Sequence, residues 1–498
     1  MNLSRIVERW AEHFPAKVAV HFHGTDLSYA GLWAKVEDAT GALADEGVRR
    51  GERVAFLGTN NPEMLVLLFA LARLGAILVP LNWRLTAAEH RVMVEDCTPK
   101  LLYVEPEFLA HAETLGVPPR VVDGLWRPGA ARVELSGTDD DDLLLVYTSG
   151  TTGKPKGAVL RQSALLWNAV NSMHCHDLGQ RDHVLNSLPM FHVGGLNNLT
   201  VPALLAGATV TLHRRFDPGL WLADVAKRKV TLGILVPATL QAIIRHPDWA
   251  RTDLSSLRMI NAGSMMVPDA LIRAFHARGV PVGQIYGSTE TAPIAIVLMK
   301  EDAEAMVGST GKPALHCEAK VVADESGTEA QAGEVGEIWV RGPNVMRGYW
   351  NDAAATAAAL REDGWFRTGD LARRDANGFY WISGRSKDLI ISGGENIHPA
   401  ELENVLADCA LIAEASVVGI EDEKWGEAAC ACVVRAAGAT LDEAAVLALF
   451  RDRLARYKHP RRVVFLDSLP KNAMGKVQKF ELAKQLAGRA PQAPSDAR

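Results

Sequence analysis

The stretch 147-YTSGTTGKPKG-157 gathers three glycines, four aliphatic hydroxyls and two lysines into one loop directly behind the apolar run 143-LLLVY-147. Glycine lets backbone amides approach a ligand closely, and hydroxyls and ammonium groups donate hydrogen bonds, so this composition suits a chain of phosphates. The commonest phosphate loop, G-x-x-x-x-G-K-[ST], does not fit. Gly150 and Gly153 lie three residues apart, and Lys154 is followed by Pro155 instead of a hydroxyl. The apolar run reads as a strand, and open α/β sheets bind ligands at the C-terminal ends of their strands.

Outward from this loop, residues 50–300 alternate short β-branched runs with stretches of helical spacing. The runs are 53-RVAFLG, 76-AILVPL, 143-LLLVYT, 209-TVTLH, 232-LGILVP, 258-RMINAG and 282-VGQIYG. Such alternation predicts an α/β fold of parallel sheets covered by helices. Between residues 308 and 384 the pattern changes to short strands and turns, as in 336-GEIWVRGPNV and 376-ANGFYWISG, which predicts a small β-barrel-like subdomain. Beyond 384 a helix near 399-PAELENVL and strands at 413-AEASVVGI and 428-AACACVVRA predict a small, mobile α+β domain. The expected division is therefore 1–386 and 387–498, with a Pro-, Ala- and Ser-rich disordered tail from 487.

Bulk properties narrow the function. At 498 residues the chain exceeds what one core serves. Its 48% apolar and 22% charged residues are ordinary for a globular protein, and a formal charge of -6 offers no basic field for nucleic acid. Six dispersed cysteines show neither a disulfide framework nor zinc spacing. The N-terminal residues lack the apolar core of a secretory signal. Arg73, Gly75 and Pro80 break the most apolar run, 64-MLVLLFALARLGAILVPL-81, so it reads as helix, turn and strand. A cytoplasmic protein without a transmembrane segment or nucleic-acid partner is expected, and a homodimer is left open.

The loop T-S-G-T-T-G-x-P-K-G resembles that of the acyl-adenylate-forming superfamily, which includes acyl-CoA synthetases, nonribosomal adenylation domains and firefly-type luciferases. Four further segments resemble its motifs in order: 286-YGSTET-291, 364-GWFRTGD-370, 384-GRSKDLIISGGENIHPAELE-403 and 470-PKNAMGK-476. The resemblance implies ATP, coenzyme A and a small carboxylic acid as substrates, with Mg²⁺ as cofactor. It implies that Thr148, Ser149, Gly150, Thr151, Thr152 and Lys156 line the β- and γ-phosphates, that Gly263, Tyr286 and Gly287 belong to the nucleotide site, and that Thr289 contacts the α-phosphate. Glu290 becomes the Mg²⁺ ligand, Asp370 the ribose contact and Arg385 a second ribose or phosphate contact. Lys476 becomes the catalytic lysine and Lys387 the hinge about which the C-terminal domain turns. For coenzyme A the resemblance implies Gly393 and Gly394 beside the pantetheine channel and Trp425, Tyr457 and Arg461 at the nucleotide end; His459 replaces an arginine of one branch.

The acid pocket is expected in 190-MFHVGGLNN-198, 261-NAGSMM-266 and 291-TAPI-294. His192 stands where amino-acid-activating relatives carry Asp, and no Lys or Arg lies in these segments to bind a second carboxylate. His192, Val193, Gly194, Gly195, Asn197, Ser264, Met265 and Ala292 are the pocket candidates. Gly194 and Gly195 leave room and the methionines adapt, which favours a medium- or long-chain fatty acid, with an aryl or hydroxycinnamic acid next. A carrier-loading acyl-AMP ligase and a non-catalytic acyl-binding scaffold are the remaining alternatives. His192 reads as a gate, a helix cap or a buried structural residue. His174 and His176, two apart on a predicted helix, point to different faces and read as non-functional.

Overall fold

The computed structural model describes residues 2–125, 129, 132–148, 155–392, 395–422, 425–451, 453–472 and 475–487. The tail beyond Ala487, read above as disordered, lies outside them. Contacts divide the chain into two compact units: Met1–Val267, Leu271–Lys320 and Trp339–Thr368 in the first, and Pro268–Ala270, Val321–Ile338 and Gly369–Arg498 in the second. The boundary after Ser386 read from the sequence marks a proposed hinge and is a separate matter from this division.

Among the described residues, the first unit holds two large sheets. One has seven strands in the order Gly348–Tyr349, Lys156–Arg161, Asp142–Thr148, Ile77–Leu81, Arg53–Leu57, Leu101–Val104 and Pro119–Val121. The other has nine, in the order Lys312–Pro313, Ile296–Val297, Val282–Tyr286, Met259–Gly263, Leu232–Leu235, His183–Asn186, Thr209–Leu212, Val18–Phe22 and Thr25–Ser28. Their central strands are parallel and buried, as the continuous apolar runs require. All seven runs read as strands are strands.

The long apolar run resolves into the helix Pro62–Leu74 and the strand Ile77–Leu81. Asn61 starts the helix by accepting from the Met64 amide at 3.0 Å, and Gly75 ends it at φ +69°, a left-handed conformation that glycine adopts without steric cost. Every residue from Met64 to Leu74 is buried, so this is a core helix. No described helix is long and apolar enough to cross a membrane.

The strand-rich stretch expected after residue 308 contains Glu318–Val322, Val335–Arg341, Phe366–Arg374 and Tyr380–Arg385. In the second unit, Gly426–Arg435 is the centre of a small sheet, antiparallel to Ile412–Asp422 and parallel to Arg462–Phe465. The helix Pro399–Ala407 packs on it through Leu402, Val405 and Leu406. This is the expected α+β arrangement.

Candidate active site

The strand Asp142–Thr148 pairs antiparallel with Lys156–Arg161, with Thr148 opposite Lys156 and Tyr147 opposite Gly157. The opening loop therefore closes a β-hairpin, not the strand-to-helix crossover that an α/β reading implies. Ser149, Gly150, Thr151 and Thr152 lie outside the described residues. Thr148 and Lys156 are half-buried at the hairpin's mouth. A Cβ on Gly157 would come within 2.6 Å of Leu145 Cδ1, so a larger residue there would require the buried Leu145 side chain to shift.

Tyr286 ends a strand of the nine-stranded sheet, and the chain then folds back on itself. A Cβ on Gly287 would lie 1.6 Å from the Pro293 carbonyl oxygen, so only glycine allows this return. Thr289 is buried and Glu290 half-buried in the turn Thr289–Thr291. The buried Asn344 side chain donates to the Thr291 and Ile294 carbonyls at 2.6 and 2.8 Å and holds the turn from behind. Glu290 Oε1 accepts a 2.8 Å hydrogen bond from the Tyr349 hydroxyl, and the Lys156 ammonium lies 5.2 Å from the centre of the same ring. Tyr349 thus brings two sequence-expected residues together, although no motif in the sequence marked it.

The acid-pocket segments also converge. His192 Nδ1 accepts from the Gly194 amide at 3.0 Å, so the histidine caps the short helix Val193–Asn197. A Cβ built on Gly194 would lie 3.1 Å from His192 Nδ1 and 3.8 Å from Ser264 Oγ, which places these three residues side by side. Gly195 corrects the expectation of room: its Cβ position is 2.3 Å from the Pro189 oxygen, so the missing side chain serves close packing. Gly263 is alike, 2.5 Å from the Ile285 oxygen. Val193, Asn197 and Ala292 are buried and Met265 half-buried. Asn197 is 1% exposed, and neither polar atom of its side chain has a hydrogen-bond partner among the described residues.

Helix Gln162–His176 joins two of these segments. The buried Asn168 donates to the Asn197 carbonyl at 2.7 Å and accepts from the Ile294 amide at 3.0 Å. Farther along, the Ser172 hydroxyl donates to the Asn198 carbonyl at 2.6 Å and lies 3.0 Å from His176 Nδ1. Burial lowers the His176 pKa to about 4, so the ring is neutral. His174 is exposed and His176 buried, on different faces as expected, and no described group of three or more His, Cys, Asp or Glu residues could hold a metal.

In the second unit, Asp370 and Arg385 face each other across paired strands, with Asp370 Oδ1 3.0 Å from Arg385 Nε. Lys476 follows a tight turn closed by Asn472, whose side-chain oxygen accepts the Lys476 amide at 3.0 Å while its own amide donates to the Lys476 carbonyl at 2.8 Å. Burial, and then the neighbouring Arg385 cation, lower the Lys476 pKa to about 8, against the opposing pull of Asp370 and Asp388. Lys387, expected from the sequence to be the hinge, also has a lowered pKa, from burial and then Arg385. The Arg461 guanidinium lies 5.0 Å from the centre of the Trp425 ring, and Tyr457 is 44% exposed. His459 is turned to the Leu454 carbonyl at 2.9 Å. Gly393 and Gly394 lie outside the described residues.

Residues 7–350 match the AMP-binding enzyme family, and residues 401–476 match the AMP-binding enzyme C-terminal domain. The chain is 50% identical to an indoleacetate–CoA ligase of Aromatoleum aromaticum, with 98% of each chain covered. It is 42% identical to a feruloyl-CoA synthase of an Amycolatopsis species, over 96% of this chain and 97% of that one. Among solved structures, the o-succinylbenzoate CoA synthetase of Bacillus subtilis in complex with its acyl-adenylate intermediate superposes with a TM-score of 0.89 at 34% identity, over 99% of this chain and 98% of that one.

The segment 58-GTNN-61 was not marked by the sequence, yet it supports the acid segment from below. Asn60, 4% exposed, donates to the Leu188 and His213 carbonyls at 2.8 and 3.0 Å and accepts from the Met190 amide at 2.7 Å. Glu105 holds the neighbours, accepting from the Thr59 amide and hydroxyl at 2.7 Å each and from Asn61 at 2.9 Å. Asn60→Ala strands the buried His213 carbonyl and Met190 amide, while the Leu188 carbonyl keeps its 3.2 Å bond from Asn186, and should lower unfolding free energy by about 2–4 kcal/mol, at roughly 1–3 kcal/mol for each stranded group. Urea denaturation followed by tryptophan fluorescence checks this; an unshifted first transition contradicts it.

Proposed function

The chain belongs to the AMP-binding enzyme family and is an acid–thiol ligase, and from that premise we propose that it joins an aromatic carboxylic acid to coenzyme A. The aromatic reading rests on the 50% identity to an indoleacetate–CoA ligase along 98% of both chains. The pocket segments support it. The sequence puts a fatty acid first partly because two adjacent glycines suggest space, but Gly195 is occupied by packing, and Gly194 borders His192 and Ser264. The unpaired amide of Asn197 carries a desolvation cost of roughly 1–3 kcal/mol that a ring N–H, phenol or ether oxygen relieves and an alkyl tail does not.

In this reading the acid's carboxylate attacks the α-phosphorus of ATP, pyrophosphate leaves, and an acyl-adenylate forms. The coenzyme A thiol then attacks the acyl carbon, and AMP leaves. Charge building on the phosphates in the first step is met by Lys156 at the hairpin mouth and by Lys476. Thr289 donates to the α-phosphate, and Asp370 accepts from the ribose hydroxyls. Mg²⁺ fits the donor set: a lone carboxylate, Glu290, with no three-ligand cage among the described residues suits an ion that keeps its waters and the nucleotide's phosphates. Bound there, the ion neutralises phosphate charge. Trp425 and Arg461 offer a ring face and a cation to the nucleotide end of coenzyme A. A turn of the C-terminal domain about Lys387 between the half-reactions belongs to the same proposal, as do cytoplasmic placement and a homodimer.

A panel of indole-3-acetate, ferulate, octanoate and palmitate, read as pyrophosphate release, should give kcat/KM at least about tenfold higher for the best aromatic acid, the factor that 1.4 kcal/mol of binding preference provides. A fatty acid at the head of the panel overturns the aromatic reading. Lys476→Ala should cut adenylation by about a hundredfold or more, as loss of a transition-state charge contact does, while thioester formation from supplied acyl-AMP stays near the parent rate. Equal loss in both steps counts against the division of labour.

The pH profile follows from the lowered pKa of Lys476. Its ammonium form is lost as pH rises through about 8, so kcat/KM for ATP in adenylation should fall above that pH. Thioester formation from supplied acyl-AMP should show no such descending limb. A flat adenylation profile up to about pH 9.5 contradicts the assignment.

A further inference from the structure

We propose that Tyr349 is a positioning residue for adenylation: its hydroxyl fixes the Glu290 carboxylate in the orientation that receives the nucleotide's metal ion. This rests on the reading of Glu290 as the metal ligand. The Tyr349 hydroxyl donates to Glu290 Oε1 at 2.8 Å, which occupies one carboxylate oxygen and leaves the other for a cation. The face of the same ring lies 5.2 Å from the Lys156 ammonium, a cation–π distance. One side chain therefore touches both a carboxylate at the end of one sheet and a lysine at the start of the strand beside its own in the other.

The backbone around Tyr349 is held on both sides. The Met346 amide donates to the Glu290 carbonyl at 2.7 Å, so the segment is tied to Glu290 by main chain as well as by side chain. Gly348 and Tyr349 pair antiparallel with Val159 and Ala158, and the Arg347 and Trp350 amides donate to the Val159 and Gly157 carbonyls at 2.8 and 2.7 Å. The Tyr349 amide donates to Thr356 Oγ1 at 2.9 Å, and a Cβ on Gly348 would lie 2.7 Å from Thr356 Cγ2. Glycine before the tyrosine lets the following helix, Ala353–Ala359, pack close. A main chain anchored at so many points fixes where the ring begins, and the hydroxyl at its end holds the carboxylate.

Tyr349→Phe removes the hydroxyl and keeps the ring, the strand pairing and the cation contact, so it isolates the orientation of Glu290. The Mg²⁺ concentration for half-maximal pyrophosphate release should rise about tenfold, the factor expected for one hydrogen bond to a charged group. Calorimetric titration of ATP at fixed Mg²⁺ should show the same weakening, and AMP binding without Mg²⁺ should not change. Glu290→Gln, measured alongside, separates the two claims. If it shifts the Mg²⁺ dependence and Tyr349→Phe does not, the positioning role falls alone; if neither variant shifts it, the metal role of Glu290 falls and takes the positioning role with it.

Discussion

The Glu290 carboxylate and the Lys156 ammonium belong to different sheets, and the segment 346–350 hydrogen-bonds to both of their neighbourhoods. Each sheet alone fixes only one of the two charges. The nine-stranded sheet delivers Glu290 after Tyr286, and the hairpin next to the outermost strand of the seven-stranded sheet delivers Lys156. A third piece of chain must set the distance between them, and a two-residue strand with a tyrosine does so. The amides of Met346, Arg347, Tyr349 and Trp350 stay paired in the process, donating to Glu290, to the hairpin and to Thr356.

The same device recurs around the acid pocket with asparagine as the linker. Asn60 ties the end of one sheet's strand to the loop before His192, Asn168 ties the Val193–Asn197 helix to the segment after Glu290, and Asn344 closes that segment from the other side. A buried asparagine is expensive unless its amide group is satisfied, and in these three both ends find backbone partners or, for Asn344, the Cys317 thiol. Irregular loops can thus sit inside the protein without stranding polar groups. Asn197 stands apart from them in having no protein partner for its side chain among the described residues, and the proposed aromatic acid would offer it a polar group.

Much of the fold was legible because buried parallel strands and capped helices announce themselves in composition. The runs at 53, 76, 143, 209, 232, 258 and 282 are all strands, and Gly75 marks the turn between helix and strand in the longest apolar run. The direction of pairing was not legible: 156-KGAVLR is as apolar and β-branched as a parallel strand, and only the structure shows it running back along Asp142–Thr148. Tyr349, Asn60, Asn168 and Asn344 escaped because a single polar residue carries no period, and its value lies in contacts far away along the chain. Gly195 misled for the related reason that sequence cannot tell a glycine that opens a pocket from one that admits a neighbouring carbonyl. The closeness of Lys476 to Asp370 and Arg385 was equally hidden, since motifs fix residue types and leave their separation open.

Attack of the acid on the α-phosphorus of ATP transfers a carboxylate oxygen to AMP, which an isotope label follows. A single turnover with an aromatic acid carrying ¹⁸O in both carboxylate oxygens, in the presence of ATP and coenzyme A, should place one ¹⁸O in the phosphate of AMP and none in pyrophosphate. Label appearing in inorganic phosphate with ADP formed, or thioester formed without label in AMP, would contradict it.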